Sequence, residues 1–211
     1  MSAASTPEPA TIEGAPTRRQ ELLRIAGELF AKRGFTNTTV RDIADAAGIL
    51  SGSLYHHFDS KESMVEEILA SFQEELFGEW EAIMASDKDP RAKIEAVIRA
   101  SFDALDRHHS EVAIYQNDAA YLTEFERFAF LRERNSQFRQ VWLKLLREGV
   151  EAGVVREDLD VELVYRFVRD TVWVAVGWYR PGGPMPVERV ADQYLAIILE
   201  GIATPQRKPQ R

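Results

Sequence analysis

TTVRDIADAAGILSGSLYHHFDSK, residues 38–61, is the stretch on which the reading of this chain turns. Val40, Ile43, Ala44 and Ala47 recur at helical spacing and give one apolar face. Thr39 stands three residues before Asp42, a capping-box variant that starts this helix at Thr38 or Thr39. Gly48 supplies the left-handed residue that ends it, and Ile49 plugs the turn. A second helix is expected near Ser51, with Leu54 and Phe58 on its buried side. Its outer side keeps Ser51, Gly52, Ser53, Tyr55 and His56, none of them acidic. Such a face suits a DNA major groove, where hydroxyl and imidazole groups reach phosphates and base edges. The pattern reads as a helix-turn-helix.

A helix–Gly–helix pair alone occurs in many small bundles. The match here is longer: TTVRDIADAAGI, then SGSLYHHF, then the SKE that opens a long helix. Together they closely resemble the DNA-binding signature of the TetR family of bacterial transcription regulators. The candidate DNA-binding residues are therefore Thr38, Thr39, Arg41, Ser51, Gly52, Ser53, Tyr55, His56 and Lys61.

Composition is that of an ordinary globular protein, 45% hydrophobic and 28% charged over 211 residues, which allows one large or two small domains. The absence of cysteine excludes disulfides, thiolate metal sites and cysteine nucleophiles. No apolar run reaches the roughly 18 residues of a membrane span, and residues 1–16 lack the pattern of a signal peptide. A cytoplasmic protein with no membrane partner is expected. The net charge of −8 argues against nucleic acid until it is mapped. Residues 17–61 hold seven Lys or Arg against five Asp or Glu, a net +2, whereas residues 62–211 carry −8. The acid lies away from the proposed DNA surface, and phosphate contact draws on local potential.

Residues 1–16 read as a disordered tail. An amphipathic helix over 17–34 completes a three-helix head, with Arg18 and Arg19 at its start either reaching a DNA backbone or solvated at the surface, the two readings standing level. The head is expected to span 17–61 and a ligand-binding and dimerisation body 62–204, before a basic tail at 205–211. Asp59 or Ser60 caps a rod helix running to about Ser86, with Glu62 as the capping-box partner of Asp59. Helices follow from Pro90, over 110–122, over 124–152 with Gly153 as its stop, from Asp160 to about Tyr179, and over 187–203. The fold class is all-α.

The helix from Asp160 is more apolar than a one-sided surface helix. One face must meet the chain's own core and another a partner. In the last helix Leu195, Ile198, Leu199 and Ile202 form a stripe. Two apolar helices joined by the RPGGPMP turn suit a four-helix interface between twofold mates. Two heads on a twofold axis would read two half-sites of a palindromic double-stranded operator. TetR regulators dimerise through their last two helices, so the resemblance implies the same homodimer.

Within the body, Arg169 and Trp173 are one turn apart in an apolar surround, where an uncompensated guanidinium is costly. An anionic ligand with a ring or acyl portion would satisfy both, a structural salt bridge being the plainer alternative. Arg166, Trp142 and Tyr121 complete the candidate ligand set. A helical pair with Asp170 is the plainer account of Arg166, and core packing that of the two rings. His108 and His109 are read as solvent-facing at a helix end.

AIYQNDA (113–119), DLDVELVYRFVRDTVWVAVGWYRPGGP (158–184) and QYLAIIL (193–199) extend the resemblance to Kst-type regulators of actinobacterial cholesterol catabolism. That resemblance implies a repressor of sterol-ring degradation genes with no cofactor, whose effector is a coenzyme A thioester of a two-ring intermediate. Gly177, one turn beyond Trp173, departs from a basic residue of that subgroup. A TetR repressor sensing another acyl-CoA or a drug-like hydrophobic compound is the competing reading. No GxSxG elbow, phosphate-binding Gly loop or HExxH supports an enzyme. A purely architectural DNA binder would not need so large a body.

Overall fold

The computed structural model describes residues 16–200, and the regular elements in that range are all helical. Residues 1–15 of the expected 1–16 tail, the expected tail at 205–211, and Ile202 of the proposed stripe lie outside the described residues. The head comprises α1 (Arg18–Arg33), α2 (Val40–Ala46) and the short α3 (Ser51–Leu54). The body comprises α4 (Lys61–Ala85), α5 (Pro90–Arg107), α6 (His109–Leu122), α7 (Ala129–Glu151), α8 (Val161–Trp173) and α9 (Val187–Leu195).

Most helix starts are set by side-chain caps that satisfy otherwise unpaired first-turn amides. Thr17 and Gln20 form a capping box on α1, and Thr39 and Asp42 form one on α2. On α4 the cap is Ser60, and its partner is Ser63 rather than Glu62. Ser63 stands at the third helical position counted from Ser60, where its hydroxyl meets the cap amide. Asp89 caps α5 ahead of Pro90, and Asp160 caps α8.

Three helices differ from the sequence reading. α7 begins at Ala129, after a 3₁₀ turn over Glu126–Phe128 that buries Phe128. α8 tightens into 3₁₀ winding over Val174–Gly177 instead of continuing to Tyr179. Alternating valines and Gly177 favour the α-helix weakly, and the Arg180 guanidinium donates to the carbonyls of Val176 and Tyr179. The last helix passes from α9 into π winding over Ala196–Glu200.

Two apolar cores are strung along α4. The first joins Leu22, Ala26 and Phe30 of α1 with Phe35, Ile43, Leu54 and Phe58, then with Met64, Val65, Ile68 and Leu69 of α4. It continues into the body through Ile114, Leu122, Phe128 and Leu131, so packing does not break at residue 61. The second core gathers the C-terminal half of α4 with α5, α7, α8 and α9. At 25 residues α4 is about 37 Å long, enough to belong to both.

Candidate functional site

The turn between α2 and α3 is built as the sequence dictates. Gly48 has φ +66°, the left-handed value an L side chain resists. Its amide donates to Asp45 O, and the Ile49 amide donates to Ala44 O at 3.0 Å, the pair of bonds of a Schellman stop. α3 itself is only four residues long, because Ser51, Gly52 and Ser53 are weak helix formers. Leu54 and Phe58 pin it from beneath at 1% and 5% exposure.

Of the candidate DNA contacts, Thr39, Arg41, Gly52, Ser53, Tyr55 and His56 are exposed and Ser51 is half-buried. Arg41 lies 3.8 Å from Asp45, with both side chains largely in solvent. Thr39 is occupied as a cap, donating its hydroxyl to Asp42, which holds the Asp42 carboxyl below its ordinary pKa. Thr38 must be withdrawn. It is fully buried, and its hydroxyl donates to Gly34 O at 2.9 Å and to Leu29 O. Lys61 is also committed internally. Its ammonium donates to Phe35 O at 2.8 Å and Thr38 O at 3.0 Å and lies 4.3 Å from the Phe35 ring centroid. It ties the α1–α2 loop to the rod. Arg18 and Arg19 are likewise used within the fold. Arg18 pairs with Glu21 and donates to Ala47 O, while Arg19 pairs with Glu67 and covers the Phe58 ring. Leu50, overlooked in the sequence reading, is 81% exposed at the start of α3.

The body contains a cavity of about 250 Å³ walled by α4, α6, α7 and α8. Its interior is aromatic: Phe72 and Trp80 from α4, Trp142 and Phe138 from α7, Tyr165 from α8. Trp80 meets Phe138 and Trp142 edge-on, at centroid distances of 4.7 and 5.9 Å. Arg169, Asp170, Gln116 and Asn135 supply a more exposed polar rim, with half-buried Trp173 beside them.

Arg169, Trp173 and Trp142 thus share one cavity, and Trp142 is both core and wall. The Arg169 guanidinium is not uncompensated, because Asp170 accepts its Nε hydrogen bond at 2.6 Å. It also lies 5.5 Å from the Tyr165 ring centroid. Arg166 and Tyr121 are corrections. Arg166 points to solvent and pairs with Glu162, one turn back, not with Asp170. Asp170 is taken by Arg169, and Glu162 is held in place by Arg139 as well. Tyr121 lies outside the cavity, 41% exposed, against Phe35 and Phe125 at the head–body seam. The histidine pair is not solvent-facing either. His108 approaches Glu75 at 3.1 Å, and His109 approaches Tyr179 O at 3.2 Å, both half-buried between α5 and α6.

Both the head and the body match known protein families. Residues 22–68 match "Bacterial regulatory proteins, tetR family", and residues 87–202 match "Tetracyclin repressor-like, C-terminal domain". The chain belongs to the TetR family. The HTH-type transcriptional repressor KstR2 of Rhodococcus jostii is 58% identical over 201 residues, spanning 95% of this chain and 98% of its own. KstR2 of Mycolicibacterium smegmatis is 52% identical over 198 residues, spanning 94% and 97%. The solved ketosteroid transcriptional regulator KstR2 of Mycobacterium tuberculosis superposes with a TM-score of 0.86 at 51% identity, covering 90% of this chain and 97% of that one. This TetR-family chain therefore has close relatives that are transcriptional repressors.

Two elements join its cavity to its head. α4 carries Trp80 at one end and Lys61 at the other. α6 carries cavity residues Val112, Tyr115 and Gln116, then Asp118 one turn on. The Asp118 carboxylate accepts the Phe35 amide at 3.3 Å, at the start of the α1–α2 loop.

Proposed function

We propose that the chain is a homodimeric repressor of sterol-ring degradation genes, released from a palindromic operator by a coenzyme A thioester of a ring-degradation intermediate. Its likeness to KstR2 repressors supports the gene class. The observation that carries the effector reading is the cavity, with an aromatic interior and a rim bearing a guanidinium. At about 30 Å³ per water, a volume of about 250 Å³ holds the equivalent of roughly eight waters. Its rings suit a ring or acyl group, and its charged groups at the rim suit an anionic part. The thioester therefore places its acyl end inside and its phosphates outside, past Arg169.

Arg169 exchanges Asp170 for the effector's anionic part, while Trp173 packs on the apolar part. The exchange is cheap, because an exposed ion pair contributes only about 0–1 kcal/mol. Release requires that the effector bind the splayed dimer better than the operator-bound one. Operator then weakens effector binding by the same factor. Dimerisation uses the outer face of α8 and the turn beyond it, where Leu163, Phe167, Val174 and Trp178 are exposed at helical spacing. Ile197 and Ile198 of the last helix are exposed as well. Of the expected stripe, Leu195 and Leu199 pack inward against the chain's own core, and Ile198 is exposed.

An operator-release titration with the thioester tests this. Arg169→Met keeps operator affinity and needs at least about tenfold more effector, the loss of a charged hydrogen bond. Trp173→Leu does the same, with some loss of stability. Asp170→Asn, which frees the guanidinium, needs less effector than the parent. Parent-like release by Arg169→Met would remove the anion from this rim.

A further inference from the structure

Leu50 stands where the α2–α3 turn hands over to α3. At 81% exposure it is the most exposed large hydrophobic side chain among the described residues. Its backbone, at φ −73° and ψ 144°, is that of a helix cap, but its side chain makes no cap hydrogen bond. Ser, Thr, Asp and Asn are strongly preferred at such a position. Leucine here costs the fold twice, leaving a first turn without side-chain help and an isobutyl group in water. So exposed a side chain gains little packing within the chain to offset either cost. A scattered exposed leucine needs no explanation, but this one opens the second helix of a helix-turn-helix. In that motif the N-terminal residues of the second helix face base edges in the major groove. Its neighbours leave it prominent: Gly52 and Ser53 are small and exposed, and a β-carbon at Gly52 would stand in open space.

We propose that Leu50 is a specificity-determining residue that reads thymine in the operator through its C5-methyl group. On the major-groove edges of the bases that methyl is the one apolar group, and the rest are hydrogen-bond donors and acceptors. Leucine has neither a donor nor an acceptor to offer. Set against guanine, adenine or cytosine, it strips water from polar edges and replaces none of the lost hydrogen bonds. Set against thymine, it covers the methyl, and both apolar groups leave water together. Ser51 and Ser53 differ in this respect, because a hydroxyl both donates and accepts and so tolerates several bases. Readout by Leu50 is narrower than readout by its neighbours. It depends on DNA binding by the head and not on the effector reading of the body.

The test uses the full chain, without effector, and a duplex that the parent selects from a random pool. Each thymine is replaced in turn by deoxyuridine, which pairs with adenine as before and lacks only the methyl. At one thymine or more the parent should lose about fourfold in affinity per methyl removed, the worth of one methyl-sized apolar group taken out of water. Leu50→Ala and Leu50→Ser should bind the thymine duplex more weakly than the parent and lose nothing further on uracil substitution at that position. Leu50→Met, apolar and of similar reach, should keep the thymine preference. All three should fold, because the side chain is exposed, and Leu50→Ser should melt at or above the parent's temperature by gaining a cap. The parent's own response to uracil needs no variant. A parent indifferent to every uracil substitution overturns the proposal. Leu50→Ala and Leu50→Ser variants that still lose the same factor at that thymine overturn it too, since another residue then reads the methyl. A parent that selects no duplex removes base readout from the head, and Leu50 with it.

Discussion

The head and the body solve opposite problems with the same kind of helix. In the head several long or polar side chains are spent inward: Lys61 on two carbonyls, Arg19 on Glu67 and Phe58, Thr38 on the α1–α2 loop. What remains outside is a small presented surface on a fixed support. The body leaves work unfinished within a single chain. It holds a cavity lined by rings and an outer face with Phe167 and Trp178 more than half exposed. Under the proposed function, a finished head keeps its shape on DNA, and an unfinished body is completed by a second copy and a ligand.

Core substitutions should separate the regions most strongly. Phe30 is fully buried at the centre of the head core, and Phe30→Ala should cost about 3–5 kcal/mol in chemical denaturation. Trp173→Leu, beside a cavity already present, should cost clearly less. Equal losses would mean that the body is packed as tightly as the head.

The outer face gives the next largest effect. Phe167, 65% exposed on α8, should lie at the interface between copies. Phe167→Glu should produce a monomer in sedimentation with helical content unchanged. Its operator affinity should fall by about 100-fold or more, because two linked heads bind with an avidity of about 10²–10⁴ over one. A dimer that persists with full affinity would place the interface elsewhere.

What the sequence made legible divides along the same line. Caps, the Gly48 stop and Pro90 are local chemistry within a few residues, so the head and the helix order could be read directly. The pairing of Arg166 could not. Acids one turn away on either side are equally near on a helix, and Arg169 claims Asp170. Thr38 and Lys61 looked like phosphate ligands because their fate depends on a loop packed from α1. Nothing local marks Phe72 or Trp80 as cavity lining, since a cavity exists only after four helices have met. Leu50 gave a local signal, an apolar residue where a polar cap is usual, and it was overlooked.

Lys61 tests how closed the head is. If it is a strut, Lys61→Ala should lower stability by about 1.5–3 kcal/mol, the range for hydrogen bonds to a charged group. The slope of log operator affinity against log salt should stay unchanged. A slope reduced by about one unit with full stability would return Lys61 to the phosphate contacts.

The smallest effect lies at the seam between the two regions. Asp118 is 9% exposed on α6, accepting the Phe35 amide, and burial raises its pKa from the ordinary 3.8 despite that bond and the nearby Lys61 charge. A carboxyl whose folded pKa lies above its unfolded one binds its proton more tightly in the native state. Its contribution to stability therefore falls as pH rises from the unfolded value through the raised one, and above both it remains a constant cost. Asp118→Asn keeps an acceptor for the Phe35 amide and removes the ionisation. The variant should gain on the parent as pH rises from below 4 to 7, with its largest relative stability at neutral pH. Denaturation midpoints at several pH values measure the difference. A gap that does not change with pH would show that Asp118 ionises at the seam as freely as in the unfolded chain. The head and body would then meet through a hydrated contact and not a buried one.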